Sequence, residues 1–267
     1  LSKITGATSI LLDLYGINPV CPDLLLLEKI SYSFSNIPWE NLTKLIKKQR
    51  PGSSMLRRSE EVMRDHARLG TGGTCFSLTN TLRRITSDLG YCCYPVMADM
   101  RHGANIHCAL LVEHEDGKFL LDPGYLVAEP VPLPRVRPVR VRLPGQILEY
   151  RPAADENEIE LHTTNDRGEV QLRYRLRPRS IPESEFIRFW TESFDAAGMN
   201  SLYLNCLTPE GRLSAHDYNL RIDTGSEKRN LNLRDGYVER ISERFGIAGE
   251  TVRRALVEWE RMRCRER

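Results

Sequence analysis

The sequence predicts an α+β fold in three successive parts: a helical N-terminal lobe, an antiparallel sheet closing towards a β-barrel, and an α/β C-terminal part. Three observations predict it. Apolar residues recur at helical spacing up to about position 90, the pattern changes at Tyr91 to short strand-like runs, and beyond Pro182 helix and strand signals mix. The expected divisions are residues 1–90, 91–181 and 182–267.

The helices of the first part are expected over Pro22 to Phe34, Ser59 to Leu69, and about Cys75 to Leu89. Pro51-Gly52-Ser53-Ser54 punctuates before the second, and Gly70-Thr71-Gly72-Gly73 before the third. Strand runs follow at Tyr91–Ala98, Ile106–Glu113, Lys118–Asp122, Gln146–Tyr150, Glu158–His162 and Glu169–Arg175, with hairpin connections at 113–118 and 165–168. Five prolines between Pro130 and Pro144 suit an extended connector or an edge strand, because proline donates nothing to a sheet ladder. The last part reads as a helix from Glu183 to Ala196, short strands near Leu202–Leu207 and Leu213–Ile222, then helices from Leu233 to Phe245 and Gly249 to Arg263.

A chain of 267 residues is long enough to bury a substantial core without staples. Hydrophobic residues are 40% and charged residues 28%, ordinary for a soluble protein, and no apolar run is long enough to span a bilayer. The stretch Ile10 to Leu14 is interrupted by Asp13, so no secretory core is expected there. Seven cysteines, an odd number without CxxC spacing, point to reduced thiols in the cytosol and to no metal site. A formal charge of +2 gives no overall case for nucleic-acid binding.

The chemistry centres on Gly72-Gly73-Thr74-Cys75-Phe76, where two glycines precede a helix that begins at a cysteine. Unpaired amides and the macrodipole at a helix start favour a thiolate, and the same amides suit an oxyanion. Cys75, Leu78, Leu82, Ile85 and Leu89 share one face, a pattern that equally suits a packed, inert thiol. Among six histidines, His107 opens the apolar strand Ile106–Val112, where a polar ring needs a specific partner. Asp122 closes the apolar run Phe119–Leu121 and, by the parity of a hairpin with an even loop, shares a face with His107. A turn at Asp116-Gly117 would pair Asp122 with Leu111, about 13 Å from His107 along the strand. Direct opposition needs a turn at His114-Glu115 or a bulge. The sequence leaves the register open.

With these residues in view the chain resembles the arylamine N-acetyltransferases. Ile37-Pro38-Trp39-Glu40-Asn41-Leu42 is similar to that family's I-P-F-E-N-L element and Gly72-Gly73-Thr74-Cys75-Phe76 to its R-G-G-x-C-F motif. His107–Val112 resembles H-x-x-L-L-V, and Leu121-Asp122-Pro123-Gly124-Tyr125 resembles V-D-V-G-F. The spacings of 32 residues from Cys75 to His107 and 15 from His107 to Asp122 are family-like as well. The resemblance implies a papain-like or transglutaminase-like core under an α/β lid, and a Cys75, His107, Asp122 triad. It further implies acetyl-CoA as co-substrate, a Cys75 thioester, and an arylamine or hydrazine acceptor. By the same resemblance Gly103, Ala104, Gly124 and Tyr125 are expected at the cofactor. Two departures stand out: Thr71 and Ser77 replace an Arg and a Glu that pair in the family, and Gly124-Tyr125-Leu126 replaces G-F-G.

Other readings share these residues. An amide synthase or a transglutaminase-like thiol hydrolase would use the same triad with another acyl donor. Residues 243–256 look like a helix-turn-helix with Arg253 and Arg254 outward. The basic stretches Arg135–Arg142 and Arg173–Arg179 suit solvated strand faces, or a rim that attracts CoA phosphates.

Overall fold

The computed structural model describes residues 4, 6–48, 55–155, 157–165, 167–196 and 200–265. The turn expected at Pro51-Gly52-Ser53-Ser54 lies outside the described residues, as does Asp166 of the 165–168 hairpin. In chain order the elements are α1 (Ala7–Tyr15), α2 (Leu24–Phe34), β1 (Trp39–Glu40), α3 (Leu42–Lys48), α4 (Ser59–Leu69) and α5 (Cys75–Asp88). Then come β2 (Cys92–Met100), β3 (Gly103–His114), β4 (Gly117–Leu121), a 3-10 turn (Pro123–Tyr125), β5 (Val131–Pro132) and β6 (Val139–Leu143). β7 (Gln146–Pro152), β8 (Ile159–Asn165), β9 (Val170–Arg177), α6 (Glu183–Glu192) and a second 3-10 turn (Ser193–Asp195) follow. The chain ends with β10 (Tyr203–Thr208), β11 (Gly211–His216), β12 (Asn219–Asp223), β13 (Lys228–Asn232), α7 (Tyr237–Phe245) and α8 (Gly249–Arg265). The fold class is the one the sequence predicts; α1, β1, α3 and β13 are additions to it.

Eight antiparallel strands form one sheet in the order β5-β4-β3-β2-β9-β8-β7-β6. Its two edges, β5 and β6, lie against each other, so the sheet is a nearly closed barrel. Both edges come from the proline-rich segment, where a missing donor costs no ladder bond. On β3 alternation then divides the strand between two cores. Ala109 and Leu111 of β3 face the barrel interior with Val96, Leu148, Tyr150, Leu161 and Leu176. Leu110 and Val112 face outward and are covered by Leu27 and Ile30 of α2 and Leu78, Leu82 and Ile85 of α5.

The hairpin joining β3 to β4 settles the register. Its pairs run from Leu110↔Leu121 to His114↔Gly117, so the turn is Glu115-Asp116. Gly117 has φ 133°, a conformation that favours glycine. Neither expected register is present. The pairing falls midway between them, and continuing it would set Asp122 opposite Ala109, two residues from His107 and on the same face.

A second sheet, ordered β1-β10-β11-β12-β13, carries the third core. Leu42 and Leu45 of α3 pack there with Leu204, Leu213 and Leu220 and with Ile241, Val252, Ala255 and Trp259 of α7 and α8. Val252, Ala255 and Trp259 form the packing face of α8, while Arg253 and Arg254 are exposed and Arg253 is paired with Glu250 at 2.7 Å. Asn41, fully buried, joins the N-terminal segment to this sheet. Its amide donates to Ser201 O at 2.7 Å and its Oδ1 accepts from Tyr203 N at 2.9 Å. Asn41→Ala leaves both backbone groups buried without partners. It is expected to lower stability by about 2–4 kcal/mol, measured as a reduced urea midpoint at unchanged slope.

Candidate active site

The turn before α5 is shaped by close approach more than by tight turning. A Cβ on Gly72 would sit 1.7 Å from Pro38 O, so only glycine lets the Ile37–Leu42 segment dock there. The docking is a short parallel bridge: Gly73 N donates to Pro38 O at 3.3 Å and Glu40 N to Gly73 O at 3.0 Å. Arg57, which the sequence did not single out, braces the same loop. Its guanidinium, 4% exposed, donates to Gly72 O and to Asp65 at 2.7 Å and lies 3.9 Å from the buried Glu40. Arg57 thus supplies a cation beside the loop where the resemblance has Arg at position 71. Thr71 itself is buried, and its hydroxyl has no partner among the described residues. Ser77, in place of the family's Glu, donates to Thr74 O at 3.1 Å.

The structure brings Cys75, His107 and Asp122 together. Cys75 is the first residue of α5, whose N-cap Thr74 makes no side-chain cap, so the first-turn amides are left without a side-chain acceptor. His107 faces Cys75 across Gly124, where an added Cβ would lie within 2.6 Å of His107 Cε1 and 3.1 Å of Cys75 Cβ. Its Nε2 lies 3.2 Å from Asp122 Oδ2. Asp122 reaches the ring because the chain leaves β4 there: it caps the Pro123–Tyr125 turn, with Oδ1 accepting from Gly124 N at 3.1 Å. Its Oδ2 also accepts from the Tyr174 hydroxyl at 2.7 Å. Tyr174 arrives from β9 and stacks on His107 with ring centroids 4.8 Å apart. In the sequence it is one more alternating strand residue, with no signal of this role.

Of the four residues expected at a cofactor, two lie at this centre. Gly124 is wedged into it; an added Cβ would come within 2.6 Å of His107 Cε1 and 3.1 Å of Cys75 Cβ. Tyr125 meets the His107 ring edge-on at 5.4 Å. Gly103 opens β3, paired with Met100, and Ala104 is exposed beside it.

The electrostatics make a charged pair. Cys75 is 7% exposed and His107 3%, so each is nearly dry. A hydrogen bond from the Cys108 thiol, followed by the bond and charge of His107, holds Cys75 well below the usual thiol range against the opposing effect of burial. Burial opposes the charge on His107 too, but the Asp122 carboxylate and the Cys75 sulfur raise it to about 10. Cys108, on the helix-facing side of β3, is pushed well up, first by burial and then by Cys75. Lys44, 6% exposed on α3, adds a positive charge in range of the sulfur, although burial lowers it to about 8. Phe76, Met97, Phe186, Trp190 and Phe194 complete the apolar surroundings.

Residues 23–253 match the N-acetyltransferase family model. Solved structures with the same fold include an arylamine N-acetyltransferase from Mycobacterium marinum in complex with CoA, at 19% identity and TM-score 0.78, covering 95% of this chain and 98% of that one. The arylamine N-acetyltransferase of Salmonella typhimurium aligns at 16% identity and TM-score 0.75, over 95% of this chain and 99% of that one. A Bacillus cereus arylamine N-acetyltransferase with a Cys-His-Glu catalytic triad aligns at 18% identity and TM-score 0.73, over 92% of this chain and 100% of that one. At these identities the likeness is one of fold. No curated protein matches the chain.

The Asp122 charge supports the imidazolium, and the imidazolium supports the thiolate. Asp122→Asn removes the first, so His107 falls from about 10 and the Cys75 pKa rises. Alkylation of Cys75 by iodoacetamide, followed against pH on the Cys75 peptide, is expected to keep its rate from alkaline into mildly acid solution in the parent. In Asp122→Asn the midpoint moves upward. An unmoved midpoint would show that Asp122 does not set the pair.

Proposed function

This chain belongs to the N-acetyltransferase family, and on that premise we propose that it transfers an acetyl group from acetyl-CoA through a Cys75 thioester to an arylamine or hydrazine nitrogen. Acyl transfer is the activity of the family. The observation that carries the assignment to these residues is their convergence on Gly124, where Cys75, His107 and Asp122 all lie within 3.2 Å of one added Cβ and His107 is bonded to Asp122.

In this reading the Cys75 thiolate attacks the donor's thioester carbonyl, and the first-turn amides of α5 receive the developing oxyanion. The intermediate collapses with loss of CoA thiolate, which takes the proton carried by His107. The neutral ring then accepts a proton from the attacking amine as the C–N bond forms, and release of the amide returns the Cys75 thiolate and the His107 imidazolium. Asp122 holds the ring orientation throughout, fixed in turn by Gly124 N and the Tyr174 hydroxyl.

Space and charge near the pair support a long anionic donor. A cavity of about 300 Å³ beside the cluster around Cys75 is lined by Met97, Asn105, Ile181, Glu185 and Phe189 together with Arg177 and Arg179. The same two arginines line a second cavity of about 850 Å³ where, with Lys118 and Arg135, four cations face the two carboxylates Asp155 and Glu158. Arg135 and Arg179 have no ion-pair partner among the described residues, which suits phosphate recognition at the outer cavity. No helix among the described residues is long and apolar enough to cross a membrane.

Incubation with acetyl-CoA is expected to give one acetyl adduct by intact mass, absent in Cys75→Ala. His107→Gln is expected to form it about 10²–10⁴-fold more slowly, the usual contribution of a positioned acid–base group. A parent protein without the adduct, yet with Cys75 open to iodoacetamide, would dismiss acetyl-CoA as donor.

A further inference from the structure

β2 and β3 depart from regular pairing at the point where they approach the thiol. Ala98 pairs with His107 and Met100 with Gly103, so a single residue of β2, Asp99, faces three of β3: Ala104, Asn105 and Ile106. Bulges of this kind re-aim the side chains beside them. Asn105 within it has φ 55°, a left-handed conformation uncommon outside glycine. The next carbonyl, Ile106 O, receives the Cys75 thiol at 3.9 Å, and the next side chain is His107.

The distortion is held from β9. Arg177 forks onto Asp99, Nη1 to Oδ2 at 2.6 Å and Nη2 to Oδ1 at 2.9 Å. Nη2 also donates to Asn105 Oδ1 at 2.5 Å. Asp99 Oδ1 in turn accepts from Asn105 N at 2.8 Å. Both the backbone and the side chain of Asn105 are therefore fixed by one ion pair. A planar guanidinium can serve the two acceptors at once; an ammonium is a point charge without that fork.

We propose that Arg177 is a positioning residue, holding the Asn105 bulge through Asp99 so that the His107 ring faces the Cys75 sulfur. This rests on the roles given above to Cys75 and His107. Arg177 touches neither of them and acts only through the geometry of residues 105–107. Loosening the bulge lets the ring drift from the sulfur, so the thiolate loses its main cation. The other titratable groups around Cys75 stay in place: Cys108 on β3, Lys44 on α3, and Asp122 and Tyr125 around the 3-10 turn. Phe186 and Trp190 of α6 add no charge.

Two variants test it. Arg177→Lys keeps the charge and loses the fork, while Asn105→Gly accepts φ 55° without strain and loses only the side-chain bond. For each, the pH dependence of Cys75 alkylation by iodoacetamide is read on the Cys75 peptide, alongside kcat, KM and Tm. The expected result is an upward shift of the alkylation midpoint by about one pH unit, equivalent to a tenfold loss of thiolate at fixed pH below it. kcat falls in proportion. A purely structural role would lower Tm and leave the midpoint where it was. Unmoved midpoints in the folded variants overturn the proposal, and if Arg177→Lys does not fold, Asn105→Gly decides alone. The alkylation arm uses no acyl donor, so its outcome is separate from failure of the acetyl-CoA reading.

Discussion

A sulfur that is 7% exposed can hold negative charge only beside a cation and donors that replace its lost water. The contact between Cys75 and His107 is therefore the constraint on which the site depends. It must be met by residues from two elements of different kinds, a helix start and a strand. α5 lies across the outer face of β3 while the His107 ring belongs to the inner face, so the two meet only at the end of the sheet. That is where β4 stops, where Asp122 turns out of the strand, and where Gly124 leaves room for three side chains in one place. A barrel one residue longer at this end would cover the ring with a strand. The 3-10 turn covers it instead with a carboxylate and an aromatic edge.

Much of this was legible because its signals are local. The bounds of α4 are the expected ones, Ser59 to Leu69, ending at a glycine that adopts the left-handed cap conformation. The Cys75 thiol stood out at a helix start behind two glycines, and the His107 ring and Asp122 carboxylate as polar residues in apolar runs. Parity placed His107 and Asp122 on one face, and the face was right. Parity could not choose between turns shifted by one residue on each strand, since every such shift preserves it; the left-handed Gly117 and the Glu115-Asp116 turn chose an intermediate register.

The remainder was illegible because its cause is distant in the chain. β1 is two residues long and exists only through pairing with β10 and Gly73, so it has no periodicity to read. β13 is exposed along its whole length and offers no alternation. Arg57 and Tyr174 act on the site from a loop and a strand whose patterns are ordinary. The paired glycines read as freedom to turn, yet at Gly72 their purpose is to admit a neighbouring carbonyl.

That neighbouring segment explains why the motif at residues 37–42 accompanies the Cys75 loop. Residues 37–42 dock on Gly72-Gly73 from one side, while Asn41 fastens the same segment to β10. The chain continues directly into α3, whose Lys44 donates to Ser193 O at 2.8 Å and to its hydroxyl at 2.7 Å and lies over the Phe194 ring. Lys48 donates to Phe194 O at 2.7 Å. Phe194 and Trp190 are part of the apolar wall around Cys75. A single run of about a dozen residues therefore sets both the floor beneath Cys75 and the wall beside it, so the two cannot shift independently. Hydrogen bonds to a buried ammonium are strong and directional, and a lysine held near 8 by burial remains mostly charged at neutral pH. The charge that anchors the wall is the same charge that adds to the thiolate's stability, which ties the closure of the site to the reactivity it encloses.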